Sequence, residues 1–176
     1  MNEFPTNQGK IIAIGGVSRS GKSELAKLLL SELSKHETEA VIISQDDHCF
    51  PAEKIPRIKN LPNWESPKSM NWEKYHAAIQ KFVNQDKIVI LEGIFVFDDP
   101  EYAGKYAKEI VLSISKQTFL DRRKKEKRWG REPFWFIEHV WDAYQKRPQK
   151  YSKDRLMLSG EKEYAIREVV DFVLKD

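Results

Sequence analysis

Residues 10–23 read K-I-I-A-I-G-G-V-S-R-S-G-K-S, and this stretch decides the fold. Its first part, KIIAIG (10–15), is a short apolar, β-branched run ending in glycine, the pattern of a buried strand. The second part, Gly16-Val17-Ser18-Arg19-Ser20-Gly21-Lys22-Ser23, matches G-x-x-x-x-G-K-[ST]. From Ser23 to Lys35, Leu25, Leu28, Leu29 and Leu33 recur at helical spacing, so the motif joins a strand to a helix. Phosphate binding needs that context. Gly16 and Gly21 let the backbone curl until the N–H groups of the loop, Ser18, Arg19 and Ser20 included, converge on phosphate oxygens. The helix start adds partial positive charge. Lys22 can reach the β and γ phosphates, and the Ser23 hydroxyl can hold Mg²⁺. The bland alternative is a glycine-rich turn with an exposed lysine. With glycine near 7% of residues, a chance match arises on the order of once in a hundred chains of this size.

Outward from the motif, strands and helices alternate. AVIIS (40–44), KIVILEG (87–93) and KEIVLSIS (108–115) predict three more strands, and residues 155–158 a fifth. Helices are predicted over 72–83, with Trp72, Tyr75, Ile79 and Phe82 on one face, and over 116–127. Another has Pro133 in its first turn and Phe134, Ile137, Trp141 and Tyr144 on its core face; a last one spans 161 to about 174. This order predicts an α/β fold, a three-layer α/β/α phosphate-loop architecture with a mostly parallel five-stranded sheet. Residues 50–70 hold Pro51, Pro56, Pro62 and Pro67 and predict a long excursion, functional or disordered.

A chain of 176 residues predicts one domain, large enough to fold without a disulfide or structural metal. The single cysteine, Cys49, excludes an intramolecular disulfide and any cysteine-based zinc cluster. The first ten residues are polar and no apolar run approaches 18 residues, so the expected location is cytoplasmic, with no membrane partner. Net charge is +3, yet residues 121–131 (DRRKKEKRWGR) carry seven basic and two acidic residues. A patch this concentrated suits a compact polyanion such as a nucleoside triphosphate. A nucleic-acid partner is not expected, because its footprint would spread more widely. A solvated helix face is the alternative.

Further residues narrow the chemistry. Asp46 and Asp47 follow the second strand, where ligands sit in open α/β sheets. A carboxylate there can accept the proton of an attacking hydroxyl, while its neighbour, pointing elsewhere, holds metal or caps a turn. Glu92, ending the third strand, suits Mg²⁺. Trp64 beside Glu65 suits a flat heterocycle joined to a sugar, and Trp135 is a second stacking candidate off the apolar face of its helix.

GGVSRSGKS, SQDDHCFP, NWESPKSMNWEK, ILEGIFVF and FWFIEHVWDAYQK, in that order between about Ile11 and Gly160, resemble the nicotinamide riboside kinases and the related uridine–cytidine kinases. The aspartate pair and His139-Val140-Trp141 look closer to the former. The resemblance implies transfer of the γ-phosphoryl of ATP, with Mg²⁺, to the 5′-hydroxyl of a nucleoside. It implies Asp46 as base, Lys22 and Ser23 at phosphate and Mg²⁺, and Glu92 near the metal. Trp64 and Trp135 fall near aromatics of the base pocket, and Glu65 where the family has an aspartate on the ribose hydroxyls. Residues 116–133 resemble a lid, with Arg122, Arg123 and Arg128 as candidate phosphate ligands. Glu65, Trp64 and the lid sequence depart from the family pattern, which leaves the acceptor open. Rival readings are a kinase of another small alcohol, a nucleotide-dependent switch ATPase, and a nucleic-acid binder using residues 121–131.

Overall fold

Strands that are apolar on both sides must be covered on both faces, and helices here do the covering. The computed structural model describes residues 9–85, 87–127, 130–152 and 154–175. In chain order they form β1 (Ile11–Gly16), α1 (Lys22–Lys35), β2 (Ala40–Ser44), the two-residue strands β3 (Arg57–Ile58) and β4 (Leu61–Pro62), and α2 (Trp72–Val83). Then come β5 (Ile88–Gly93), β6 (Lys108–Ser113), α3 (Lys116–Lys124), α4 (Phe134–Gln145), β7 (Arg155–Ser159) and α5 (Ile166–Leu174).

Five strands make one sheet in the order β2-β5-β1-β6-β7, and every pairing is parallel. β1 is central, so the loop after it opens at the carboxyl edge of the sheet, where strand order changes direction. Alternation along β1 feeds two cores. Ala13 joins Val89, Leu91, Tyr75 and Ile79 under α2; Ile12 and Ile14 join Leu25, Leu29, Leu33, Val169 and Val173 under α1 and α5. Each such buried aliphatic side chain contributes about 1.5–3 kcal/mol relative to exposure. A third cluster, Val17, Phe119, Phe136, Ile137 and Val140, packs α3 and α4 beside the loop after β1.

Several expectations shift. α5 starts at Ile166 instead of 161, because residues 161–165 are spent in a turn: Glu161 accepts the Ser115 N–H (2.7 Å), and the Tyr164 hydroxyl donates to the Gly21 carbonyl (3.4 Å). The excursion 50–70 is structured. Phe50 N–H to Ser69 O (2.8 Å), Asn71 N–H to His48 O (2.9 Å) and a bridge between Cys49 and Met70 close its neck, and β3 and β4 pair at its tip. Phe134 is 52% exposed, whereas Phe136 is buried. Pro133 stands just before α4 and not inside it, so the helical face turned to the core begins two residues later than the apolar spacing suggests. Leu28 is likewise outside the core, 41% exposed.

Candidate active site

The turn Val17–Gly21 joins a strand buried from Ile12 onward to a helix with no side chain capping its start. Its backbone is left-handed at Arg19 (φ 66°) and Gly21 (φ 99°). At Gly16 a Cβ would stand 2.5 Å from the Leu112 carbonyl oxygen, so only glycine lets the loop approach β6 this closely. The first N–H groups of α1 therefore lack internal partners and face the cleft. Ser20 Oγ is buried with no hydrogen-bond partner. Lys22 is buried, and its ammonium donates to Val17 O (2.9 Å) within the same loop. Burial lowers its pKa; Glu92, Asp46 and Glu65 oppose that shift.

The loop lines a cleft of about 1690 Å³, larger than one small ligand fills. Leu28, Arg122, Arg123, Arg131 and the turn Gly160–Tyr164 form one set of its walls, the candidate donor arm. Asp46, Trp64, Glu65, Glu92, Phe95 and Phe136 form a second set, the candidate acceptor arm. Ser18, Arg19, Gly21 and Ser23 line the same cleft.

Each acid is positioned by the sheet. Register puts Ser44 of β2 beside Glu92 of β5, which in turn neighbours Ile14 of β1. Ser44 Oγ donates to Glu92 (2.5 Å) and accepts from Asp46 N–H (3.3 Å), starting a short 3-10 turn over Gln45–His48. Glu92 thus lies between the phosphate loop and Asp46. Asp46 lines the cleft, whereas Asp47, the second candidate for contact with the substrate, is exposed and not among the cleft walls. Gln45, which no motif flagged, is buried against Gly93, and its carbonyl accepts from Phe95 N–H (2.8 Å). Burial pushes the Cys49 thiol up to about 11, so it stays protonated at neutral pH.

Trp64 and Glu65 both reach the acceptor arm. Glu65 is buried, which raises its pKa; the guanidinium of Arg147, 3.2 Å away, opposes this. Arg147, from just beyond α4, was not legible in the sequence, since YQKRPQK carries no motif. Trp135 is displaced from the role expected of it. It lies outside the cleft walls with the Lys59 ammonium 4.0 Å over its ring, and Phe136 takes the wall position because the α4 register turns residue 136 inward.

The lid arginines brace the loop. Arg122 donates to Arg19 O (2.9 Å) and Gly160 O (2.7 Å). Arg123 donates to Ser18 Oγ (2.8 Å) and forks onto Glu132 (2.7 and 2.8 Å). Arg19 pairs with Glu126. Arg128 lies outside the described residues. Among the described residues no three His, Cys, Asp or Glu side chains cluster as a metal cage. The exposed Ser23 hydroxyl and the Glu92 carboxylate fit an ion that takes one or two protein oxygens and the rest from phosphates, as Mg²⁺ does.

Comparison with known proteins accords with this geometry. The chain is 29% identical over 157 residues to human nicotinamide riboside kinase 1, covering 80% of this chain and 77% of that one. It is 23% identical over 184 residues to the nicotinamide riboside kinase of Saccharomyces cerevisiae, covering 76% and 75%. The chain has the fold of the phosphate-loop kinases. Uridine kinase-like protein 5 of Arabidopsis thaliana is 24% identical over 204 residues; the match covers 96% of this chain but only 43% of that longer protein. No family model matches. Among solved structures, a putative fructose transport system kinase from Silicibacter aligns with a TM-score of 0.60 at 14% identity, covering 85% and 92% of the two chains. A possible uridine kinase from Bacillus stearothermophilus gives 0.53 at 17%, covering 87% and 91%. No helix among the described residues is long and apolar enough to cross a membrane.

Proposed function

We propose that the protein transfers the terminal phosphoryl group of ATP to the 5′-hydroxyl of a ribonucleoside, with a nicotinamide riboside-like acceptor as the preferred one. The observation that carries this reading is that one cleft is lined by the phosphate loop, by Arg122 and Arg123, and by Asp46, Trp64 and Glu65. Triphosphate enters the donor arm, and Lys22 exchanges Val17 O for phosphate oxygens. The acceptor hydroxyl attacks the γ phosphorus, the bond to the β–γ bridging oxygen breaks, and ADP leaves with that electron pair. The Asp46 carboxylate takes the hydroxyl proton and later releases it to water. Mg²⁺, held by Ser23 and near Glu92, would supply charge neutralisation between the β and γ phosphates. The lid arginines add positive charge, and closure of the cleft keeps water from competing as acceptor.

The acceptor arm favours a flat cation. Its walls are aromatic, thioether and aliphatic around Trp64, and its acids include Asp46, Glu65 and Glu92. A cationic pyridinium gains from an indole face and from this negative field. A pyrimidine asks for paired donors and acceptors. Uridine or cytidine remains the second reading, supported by the Arabidopsis relative that aligns with nearly the whole chain. A coupled assay of ADP release decides between them, run with nicotinamide riboside, uridine, cytidine, adenosine and no acceptor. The expected result is acceptor-dependent release, highest with nicotinamide riboside. Equal release without acceptor would instead indicate a switch ATPase.

A further inference from the structure

Arg147 belongs to no motif, yet its side chain is 6% exposed and ties three separate segments together. One terminal nitrogen donates to both the backbone oxygen and Oε2 of Glu65 (3.2 Å each), and the other to Ile94 O just after β5 (2.8 Å). Nε faces Asp98 Oδ2 at 3.2 Å, and the guanidinium stacks 4.4 Å from the centroid of Phe95. A planar fork of this kind fixes its partners' directions, which the single ammonium of lysine cannot do. Glu65 needs such a tether. A glutamate side chain is long, and untethered it would sweep its carboxylate through the cleft. With Oε2 held by Arg147, Oε1 makes no hydrogen bond among the described residues, and Glu65 lines the cleft.

We infer that Arg147 is a positioning residue for the acceptor. It locks one oxygen of Glu65, presents the other to the sugar, and so makes the enzyme select acceptors that carry the ribose 2′- and 3′-hydroxyls over their deoxy counterparts. The inference rests on the nucleoside-kinase reading above. A site built to bond a substrate hydroxyl rejects the analogue lacking it, provided the site's own group cannot move away to water. Arg147 supplies that immobility.

The test uses the full chain and the ribonucleoside that the wild type phosphorylates best, beside its 2′-deoxy and 3′-deoxy analogues. In wild type, kcat/KM for the ribonucleoside should exceed that for either analogue by about tenfold or more. In R147M the ratio should fall to about threefold or less, chiefly through a higher KM for the ribonucleoside, with the KM for ATP moving less than about twofold. R147K should lie between. In an E65A background, R147M should change the ratio by less than about twofold, because the two act through one contact. R147M leaves Asp98 buried without its cation; R147M/D98N removes that burden, and the same collapse of the ratio is expected in it. A merely structural role would lower turnover of ribo and deoxy acceptors alike. An unchanged ratio in R147K and R147M/D98N, or full additivity with E65A, overturns the inference while leaving the nucleoside-kinase reading intact. A wild type that phosphorylates no nucleoside overturns both.

Discussion

The two arms of the cleft are built by different means. The donor centre is backbone: glycines, N–H groups and a helix start, all within the eight residues 16–23. The acceptor arm is side chains drawn from four distant segments, namely Asp46 after β2, Trp64 and Glu65 in the excursion, Phe136 on α4 and Arg147 beyond it. A backbone cradle reads any polyphosphate tail, so it is common to kinases of many acceptors. A side-chain pocket reads one acceptor and varies residue by residue. Damage to one arm should therefore leave binding in the other largely intact, while damage where they meet should stop transfer.

The largest effect is expected at the junction. Asp46→Asn should lower kcat on the order of a hundredfold or more, while ATP affinity measured by calorimetry stays within about twofold. Unchanged turnover would remove Asp46 from proton transfer and break the division between arms. Gly16→Ala attacks the donor centre alone. Its methyl would stand 2.5 Å from Leu112 O and 2.7 Å from Ser20 Oγ. The KM for ATP should rise by about tenfold or more, roughly 1.4 kcal/mol, with acceptor binding unaltered. Trp64→Ala is the counterpart in the other arm: the acceptor KM should rise about five- to tenfold, the worth of one stacking contact, with the KM for ATP unchanged. If Trp64→Ala shifts both constants together, the arms are not separable.

The smallest effect concerns Asp98, the second acid on Arg147. Burial lifts its carboxyl to about 6 from the ordinary 3.8, despite the guanidinium beside it. The folded chain then holds a proton that the unfolded chain releases between about pH 4 and 6. The resulting cost to stability grows through that window and is complete above about 6. After discounting for solvent screening this is about 1 kcal/mol. Asp98→Asn should raise the Tm by about 2–4 °C at pH 8 and leave it nearly unchanged at pH 4. An equal gain at both pH values would show that the ionised carboxylate is not the source of the cost.

The legibility of each part follows from its construction. β2 and α2 fall at the bounds expected of them, since AVIIS and the Trp72–Val83 stripe each answer to a single local period. Asp46, Glu92, Trp64 and Glu65 stand out in the sequence because strand ends and an aromatic–acid pair are local features, and all four line the cleft. Of the aromatic run Phe134-Trp135-Phe136, the sequence favours Trp135 for stacking while the cleft wall is Phe136, and Arg147 carries no local signal, because the register of α4 against α3 and the excursion decides which side chains turn inward. The turn before α5 was read as helix for the same reason: its contacts, Gly21 and Ser115, are far away in the chain.

By itself the amino-acid order determined the parallel α/β layering and the phosphate loop. Each rests on short-range rules, namely side-chain alternation, helical spacing, and glycine where the backbone must curl or approach closely. Only the folded chain decided which arginine anchors Glu65, which aromatic walls the acceptor, and how the lid grips the loop. Those contacts join residues tens of positions apart, and their partners are set by packing, to which no local period in the chain corresponds.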